Sequence, residues 1–162
     1  MKNRGVKSLA SIIKIAETAR RRGKKIVTTN GCFDLLHVGH VRNLKFAKSL
    51  GDILIVGINS DSSTRKNKGP SRPIVPEKER AEVLAALETV DYVFIFGDKT
   101  PIGWLKKIGP KIHVKGADRK LAQIIERDTL KKIGAQLIFA PYHKGKSTSS
   151  LIKKTTIGAR DK

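Results

Sequence analysis

The sequence predicts one α/β domain, in which helices cover both faces of a doubly wound, five-stranded parallel sheet. Strand-like and helix-like segments alternate about five times along the chain. The run DILIVGI at 52–58 is almost entirely apolar, which is typical of a strand buried on both faces of a parallel sheet. The 162 residues with 39% hydrophobic content suit a single core, so we predict one domain over 1–162.

The first half of the chain begins with an amphipathic helix. Apolar residues recur every three or four positions from about 8 to 22, Ser8 is a suitable N-cap, and Gly23 follows. A β-branched strand over 26–29 then leads into Asn30 and Gly31. The helical pattern returns at Val38 to Leu50, before the apolar run described above.

A long connection and three further strands complete the predicted sheet. Residues 60–76 are polar, basic and rich in Gly and Pro, so we predict a long exposed loop, which in a compact domain is usually functional. The remaining predicted elements are a helix over 77–87, a strand over 92–96, a helix starting at Thr100-Pro101, a strand over 112–115, a helix over 121–133, a strand over 137–140, a final helix from Ser147 and a basic tail over about 155–162.

The composition narrows the class of protein. Lys plus Arg number 34 against 14 Asp plus Glu, and this net charge of +20 attracts polyanions. The basic clusters are not interleaved with aromatic residues, so we do not expect nucleic acid to be a partner. Cys32 is the sole cysteine, and the sequence has no apolar run long enough to span a membrane and no secretion signal. We therefore expect a cytoplasmic protein.

The densest group of candidate site residues is GCFDLLHVGH at 31–40, where the first strand of the predicted sheet meets a helix. Gly31 and Gly39 let backbone approach a ligand closely, and His37 and His40 are spaced so that both imidazoles face one way at the helix N-terminus. This pattern favours a phosphate site. A histidine pair at this spacing also occurs in zinc sites, or one histidine could be on the surface and one in the core. With a lone cysteine we predict no metal site.

The same residues carry a resemblance to a known family. HxGH after a strand and a Gly-x-Phe-Asp turn resembles the cytidylyltransferase-like branch of the HIGH nucleotidyltransferase superfamily. TNGCFDLLHVGHVRNLKFAKSLGDILIVGINSD and KGPSRPIVPEKERAEVLAALETVDYV are similar to heptose-1-phosphate adenylyltransferases, and GKSTSSLIKK resembles the superfamily's second motif. The resemblance spans roughly 5–155 and implies a Rossmann-like domain.

The resemblance also implies roles for individual residues. The implied catalytic residues are His37, His40 and Lys68. The implied nucleotide-binding residues are Asn30, Gly31, Cys32, Phe33, Gly39, Lys115, Gly116, Asp118, Ser147, Thr148 and Ser149. Asp34, Lys66 and Arg80 are the implied substrate-binding residues. Mg²⁺ is expected on the nucleoside triphosphate, and a homodimer is expected from the resemblance alone.

Elementary chemistry agrees with the implied reaction, and some alternatives stay open. A phosphorylated acceptor is already a nucleophile, so the enzyme needs to align it and neutralise charge. We expect transfer of a nucleoside monophosphate, best guess from ATP to heptose 1-phosphate, with a separate kinase supplying the acceptor. Lys-Gly-Ala-Asp-Arg at 115–119 replaces the usual Lys-Gly-Gly-Asp-Tyr. This leaves a glycerol-3-phosphate-type cytidylyltransferase using CTP as an alternative, and a basic nucleic-acid-binding protein as a third.

Several of these side chains also have purely structural interpretations. Arg80 could pair with Glu77 or another helix acid, and Asp34 could cap a turn. The serines from 147 would suit the start of any helix. His113 and Trp104 are predicted to be packed inside the domain.

Overall fold

The computed structural model describes residues 4–116, 124–141, 148 and 151–152. The strands are β1 (Gly5–Val6), β2 (Ile26–Gly31), β3 (Ile53–Asn59), β4 (Tyr92–Phe96), β5 (Ile112–Gly116) and β6 (Gln136–Ala140). The helices are α1 (Leu9–Arg21), α2 (Val38–Ser49), α3 (Asp61–Lys68), α4 (Glu77–Ala85), α5 (Ile102–Ile108) and α6 (Arg127–Lys132). Thr148, Leu151 and Ile152 are also helical.

All the strands are parallel, in the order β1-β4-β3-β2-β5-β6. The chain moves outward from β2 through β3 to β4, then returns to the other side of β2 to form β5 and β6. The winding therefore reverses between β2 and β5. Ligands of open α/β sheets bind beyond the carboxyl ends of the strands at such a reversal. This places Asn30, Gly31, Lys115 and Gly116 at the expected site.

The predicted α/β class and parallel sheet are confirmed, but the strand count was wrong: the described residues form six strands, not five. The additional strand is β1, in which Gly5 and Val6 pair with Tyr92 and Val93 at the sheet edge. Two residues are too few to show a period in the sequence. Pairing with β4, together with the bond from the Lys7 amide to the Val93 carbonyl, makes this segment a strand.

Two apolar layers hold the helices against the sheet. Leu44 of α2 and Leu84 of α4 belong to the layer on one face. Ile12 of α1, Trp104 of α5 and Leu130 of α6 belong to the other. Trp104 and His113 are both buried, as predicted. β3 runs between the layers with Leu54 to Asn59 all buried, which explains its almost unbroken apolar sequence.

The helix α1 forms for the reasons predicted from its sequence. The Ser8 side chain accepts a hydrogen bond from the Ser11 amide at 3.2 Å, which caps the first turn. Ile12, Ala16 and Ala19 form its buried stripe. The helix ends before Gly23, whose φ of 68° is left-handed.

The predicted loop over 60–76 was wrong in its first half, because Asp61–Lys68 forms α3. No apolar residue marks a helical period in DSSTRKNK, so hydrophobic patterning could not reveal it. The helix depends instead on Ser60, whose hydroxyl accepts from the Ser63 amide at 3.2 Å, and on burial of Ser63 and Thr64. Gly69, with a φ of 97°, ends it.

The predicted helix over 121–133 was too long among the described residues. α6 begins at Arg127, and 124–126 form a turn, while 121–123 lie outside the described residues. The turn buries Ile124 and directs the Glu126 carboxylate towards Lys115. The helical pattern of the sequence did not predict this turn. Among the described helices, none is long and apolar enough to cross a bilayer.

Candidate active site

The two histidines of HxGH lie where α2 begins. His37 is the N-cap in extended conformation, and its Nδ1 accepts a hydrogen bond from the Gly39 amide at 3.1 Å. This bond assigns the proton of a neutral His37 to Nε2, which leaves that atom as a donor. The helix N-terminus adds further N–H groups and the positive end of the helix dipole. This end of α2 is therefore built to receive an anion.

The imidazoles of His37 and His40 stack on each other, with ring centroids 3.9 Å apart and an interplanar angle of 25°. Burial lowers the pKa of His37. Burial and then the neighbouring His37 lower the pKa of His40 to about 4. Both rings are therefore mainly neutral hydrogen-bond donors at neutral pH. A bound polyanion would favour their charged forms and so raise both pKa values.

The turn before the histidines brings the backbone close to this pair. Phe33 has a φ of 48°, and its ring lies 5.1 Å from that of His40 between centroids. A side chain on Gly31 would place its Cβ 3.2 Å from the Phe33 ring, so the ring would have to move by a few tenths of an ångström to accept it. Because Gly31 has no side chain, residue 31 does not cover the backbone of Gly31 and Cys32.

Arg80 holds the backbone around this turn through hydrogen bonds. Its guanidinium donates to the carbonyl oxygens of Cys32, Val75 (2.8 Å) and Asn59 (3.0 Å), and its side chain is 0% exposed. It also pairs with Asp61 at 2.7 Å, so the helix acid that it contacts is Asp61 rather than Glu77. A contact between Arg80 and a substrate phosphate, as the resemblance implies, would require some of these bonds to be exchanged.

Asp34 joins the turn to the connection between α3 and α4. One carboxylate oxygen accepts from the amides of Ile74 (2.8 Å) and Val75 (3.0 Å), and the other pairs with Arg72. The carboxylate is buried. Asp34 therefore caps backbone of a segment 40 residues away, and its implied contact with substrate stays a prediction.

The implied lysines and the second motif approach the site from two directions. Lys66 and Lys68 are exposed on the last turn of α3, the helix that follows the carboxyl end of β3. The Thr148 hydroxyl donates to the Leu35 carbonyl at 3.2 Å, two residues before His37. The second motif thus contacts the loop that carries the histidines.

Lys115 and Asn30 meet across the sheet reversal. The Lys115 ammonium donates to the Asn30 side-chain oxygen at 2.6 Å and lies 2.5 Å from a carboxylate oxygen of Glu126. Within the described residues, no three His, Cys, Asp or Glu side chains converge as they would around a bound metal. The arrangement offers donors and cations for a phosphate chain.

Comparison with known proteins identifies the family. Residues 28–154 match the family described as Cytidylyltransferase-like, and the match includes both histidines and the Thr148 segment. The chain belongs to the cytidylyltransferase-like family. It is therefore a nucleotidyltransferase, as the motifs predicted.

Named relatives of this cytidylyltransferase-like chain are longer than it is. It is 45% identical over 149 residues to the bifunctional protein HldE of Geobacter metallireducens, covering 92% of this chain and 30% of the relative. The HldE of Aliarcobacter butzleri is 47% identical over 152 residues, with coverage of 94% and 31%. The chain thus spans about a third of the length of these relatives.

Two solved structures resemble the fold. A lipopolysaccharide core biosynthesis protein from Thermoplasma volcanium has a TM-score of 0.67 and 28% identity, covering 75% of this chain and all of that one. Pantoate-beta-alanine ligase from Francisella tularensis, complexed with beta-gamma ATP and beta-alanine, has a TM-score of 0.68 and 19% identity, with coverage of 93% and 73%. The latter supports the fold alone.

Most residues that the resemblance implied for the cytidylyltransferase-like site lie around one end of the sheet. Asn30, Gly31, Lys115 and Gly116 lie at the carboxyl ends of β2 and β5. Cys32, Phe33, Asp34, His37, Gly39 and His40 form the turn and the start of α2. Asp118, Ser147 and Ser149 lie outside the described residues. Their roles stay predictions.

Sequence reasoning missed the partners that hold these residues in place. Asp61 and Asn59 contact Arg80, and Glu126 contacts Lys115. A general signal existed for Asn59 and Asp61, because the first ends a buried parallel strand and the second follows it two residues later. Glu126 had no such signal, since its position within a predicted helix gave no reason to bury it.

Proposed function

We propose that this nucleotidyltransferase transfers a nucleoside monophosphate to a sugar phosphate, with ATP and heptose 1-phosphate as substrates. The observation that carries the proposal is the stacked imidazole pair at the start of α2, beside the sheet reversal. The loop that carries this pair is bonded to the second motif, because the Leu35 carbonyl accepts from the Thr148 hydroxyl. The resemblance of two long segments to heptose-1-phosphate adenylyltransferases supports this acceptor. The relatives named HldE agree with that resemblance.

The proposed reaction needs alignment more than acid–base chemistry. An oxygen of the acceptor phosphate attacks the α-phosphorus, a new P–O bond forms, and the bond to the bridging α–β oxygen breaks to release pyrophosphate. Both His37 and His40 would stabilise the charge on the phosphates by donation. Lys66 and Lys68 would add positive charge from α3, and Mg²⁺ would enter bound to the nucleotide substrate.

The acceptor must already carry a phosphate, so a kinase has to act earlier in the reaction sequence. The relatives that span about three times this length are named bifunctional. We propose that a separate kinase supplies the acceptor, that the enzyme works in the cytoplasm, and that it forms a homodimer.

A pyrophosphate-release screen tests the proposal. ATP, CTP, GTP and UTP are each combined with heptose 1-phosphate, glycerol 3-phosphate and choline phosphate in the presence of Mg²⁺. We expect turnover with ATP and heptose 1-phosphate. Turnover only with CTP and glycerol 3-phosphate would select the second candidate, which the cytidylyltransferase-like description favours. No turnover with any pair would overturn the proposal.

A further inference from the structure

A chain of buried polar groups crosses the sheet beneath the nucleotide side of the site. His113 of β5 is 0% exposed, and its Nδ1 lies 2.8 Å from the Thr28 hydroxyl of β2. Its other ring nitrogen lies 3.5 Å from a carboxylate oxygen of Glu126. Burial holds the pKa of His113 at about 4, so this ring is neutral at working pH. The assignment with Nε2 protonated lets Thr28 donate to Nδ1 and directs the ring N–H at Glu126.

Glu126 stays charged in spite of its burial. Burial alone would raise its pKa, but the interactions with His113 and Lys115 outweigh that effect, and the pKa falls to about 2. A buried carboxylate is tolerated only when it is paired. The ammonium of Lys115, 2.5 Å away, is that partner.

The ion pair continues to Asn30. A lysine ammonium has donors only, so the Asn30 atom that it contacts at 2.6 Å is the carbonyl oxygen. This contact fixes which way the Asn30 amide is turned, and its NH₂ group points away from Lys115. Asn30 directly precedes Gly31 at the carboxyl end of β2, where a ligand of such a sheet binds.

We propose that Glu126 is a positioning residue for nucleotide binding, acting through Lys115 to hold the Asn30 amide with its NH₂ group available to the nucleotide. The inference rests on the proposed function. Glu126 itself contacts no ligand; it sets the position of Lys115, which sets the orientation of Asn30. The ligand group that Asn30 would meet is an oxygen acceptor, such as a phosphate or ribose hydroxyl.

A double-mutant cycle on Glu126→Gln and Lys115→Met tests this arrangement. Loss of one charge-assisted hydrogen bond lowers binding affinity about 10-fold. We therefore expect Glu126→Gln and Lys115→Met each to raise the nucleotide KM, and the calorimetric Kd for ATP, about 10-fold, with the acceptor KM unchanged. The double variant, which buries no unpaired charge, should match Lys115→Met alone.

Two further variants sharpen the test. Asn30→Asp keeps the shape but replaces the NH₂ donor by a carboxylate, and should weaken ATP binding at least as much as Glu126→Gln. Glu82→Gln, on an exposed position of α4, is the control and should change neither constant. Glu126 would have only a structural role if the effects of Glu126→Gln and Lys115→Met on ATP binding were fully additive. The same conclusion would follow if Glu126→Gln raised the KM values of nucleotide and acceptor equally.

The binding and turnover measurements separate this inference from the proposed function. An unmodified chain that turns over ATP while Glu126→Gln binds it normally would overturn the positioning role alone. An unmodified chain with no affinity for any nucleoside triphosphate would overturn both.

Discussion

A buried carboxylate at the amino end of the sheet and a buried imidazole at its carboxyl end differ in whether their polar atoms have partners. At the amino end, both oxygens of Asp91 are occupied, one by Arg4 at 2.9 Å and the other by Lys48 and the Leu54 amide at 2.8 Å. At the carboxyl end, within the part of the chain that the structure describes, His40 Nδ1 is buried without a hydrogen-bond partner. The first arrangement fixes strands to a helix. The second leaves one buried ring nitrogen unsatisfied, which costs stability and is a feature of functional sites.

The largest expected effect concerns the imidazole with the unsatisfied nitrogen. Changing His40 to Ala removes a donor from the developing charge and should lower kcat about 1000-fold, as loss of a preorganised donor does elsewhere. His37→Ala should behave similarly. Pyrophosphate release at saturating nucleotide measures the loss, and thermal unfolding checks that the fold is kept. A decrease below 10-fold in both variants would remove the pair from the mechanism.

The same histidine should cost stability in acid. The pKa of His40 is about 4 in the folded chain against an ordinary 6.5, so the unfolded chain takes up the proton first as pH falls. The free energy of unfolding contributed by this group should therefore fall by about 2–3 kcal/mol between pH 7 and 4.5.

Urea denaturation at the two pH values would measure this loss in the unmodified chain and in His40→Asn. The variant should lose less stability than the unmodified chain, and buried His113, whose pKa is also about 4, should account for part of what remains. Equal pH dependence in the two proteins would contradict a lowered pKa at His40.

Substitution of the fully paired Asp91 should change stability rather than activity. Asp91→Asn weakens two ion pairs around a buried group, and we expect the free energy of unfolding to fall by about 2 kcal/mol. Turnover per folded molecule should change less than two-fold, because Asp91 lies at the opposite end of the strands. Urea denaturation and pyrophosphate release on the same preparation give both numbers, and a large loss of kcat at unchanged stability would break the comparison.

The smallest expected effect concerns exposed charge near the site. Lys66→Ala with Lys68→Ala should raise the nucleotide KM about 10-fold at low salt and less at high salt, because exposed charges are screened. The double variant Lys106→Ala with Lys107→Ala removes the same charge from α5 and serves as the control. Similar KM values for both double variants would show that only net charge matters.

Sequence patterns were informative where one dominant signal decided the structure. Burial explains the apolar run of β3 and the apolar stripe of α1. Capping marks the start of α1 at Ser8 and of α2 at His37. The patterns failed for α3, which has no apolar side chain, and for β1, which is two residues long. Both depend on tertiary partners that no local window contains.

The candidate site shows the same division. The motif predicted His37 and His40 as a pair. It could not predict that the Arg80 guanidinium donates hydrogen bonds to three carbonyl groups. Nor could it predict that Glu126 comes into contact with Lys115 from a turn 11 residues later. Ligand-facing residues carry their own chemical pattern, whereas supporting residues are selected by distances that exist only in the folded chain.

The bonds from Asp34 to the amides of Ile74 and Val75 have an evolutionary consequence. They hold main chain, so they constrain the path of this segment and leave its side chains free to diversify; Ile74 is 52% exposed. Substitutions at these two positions therefore leave the path of the main chain and the neighbouring turn in place. Proline is the exception at both positions, because it has no amide hydrogen to donate.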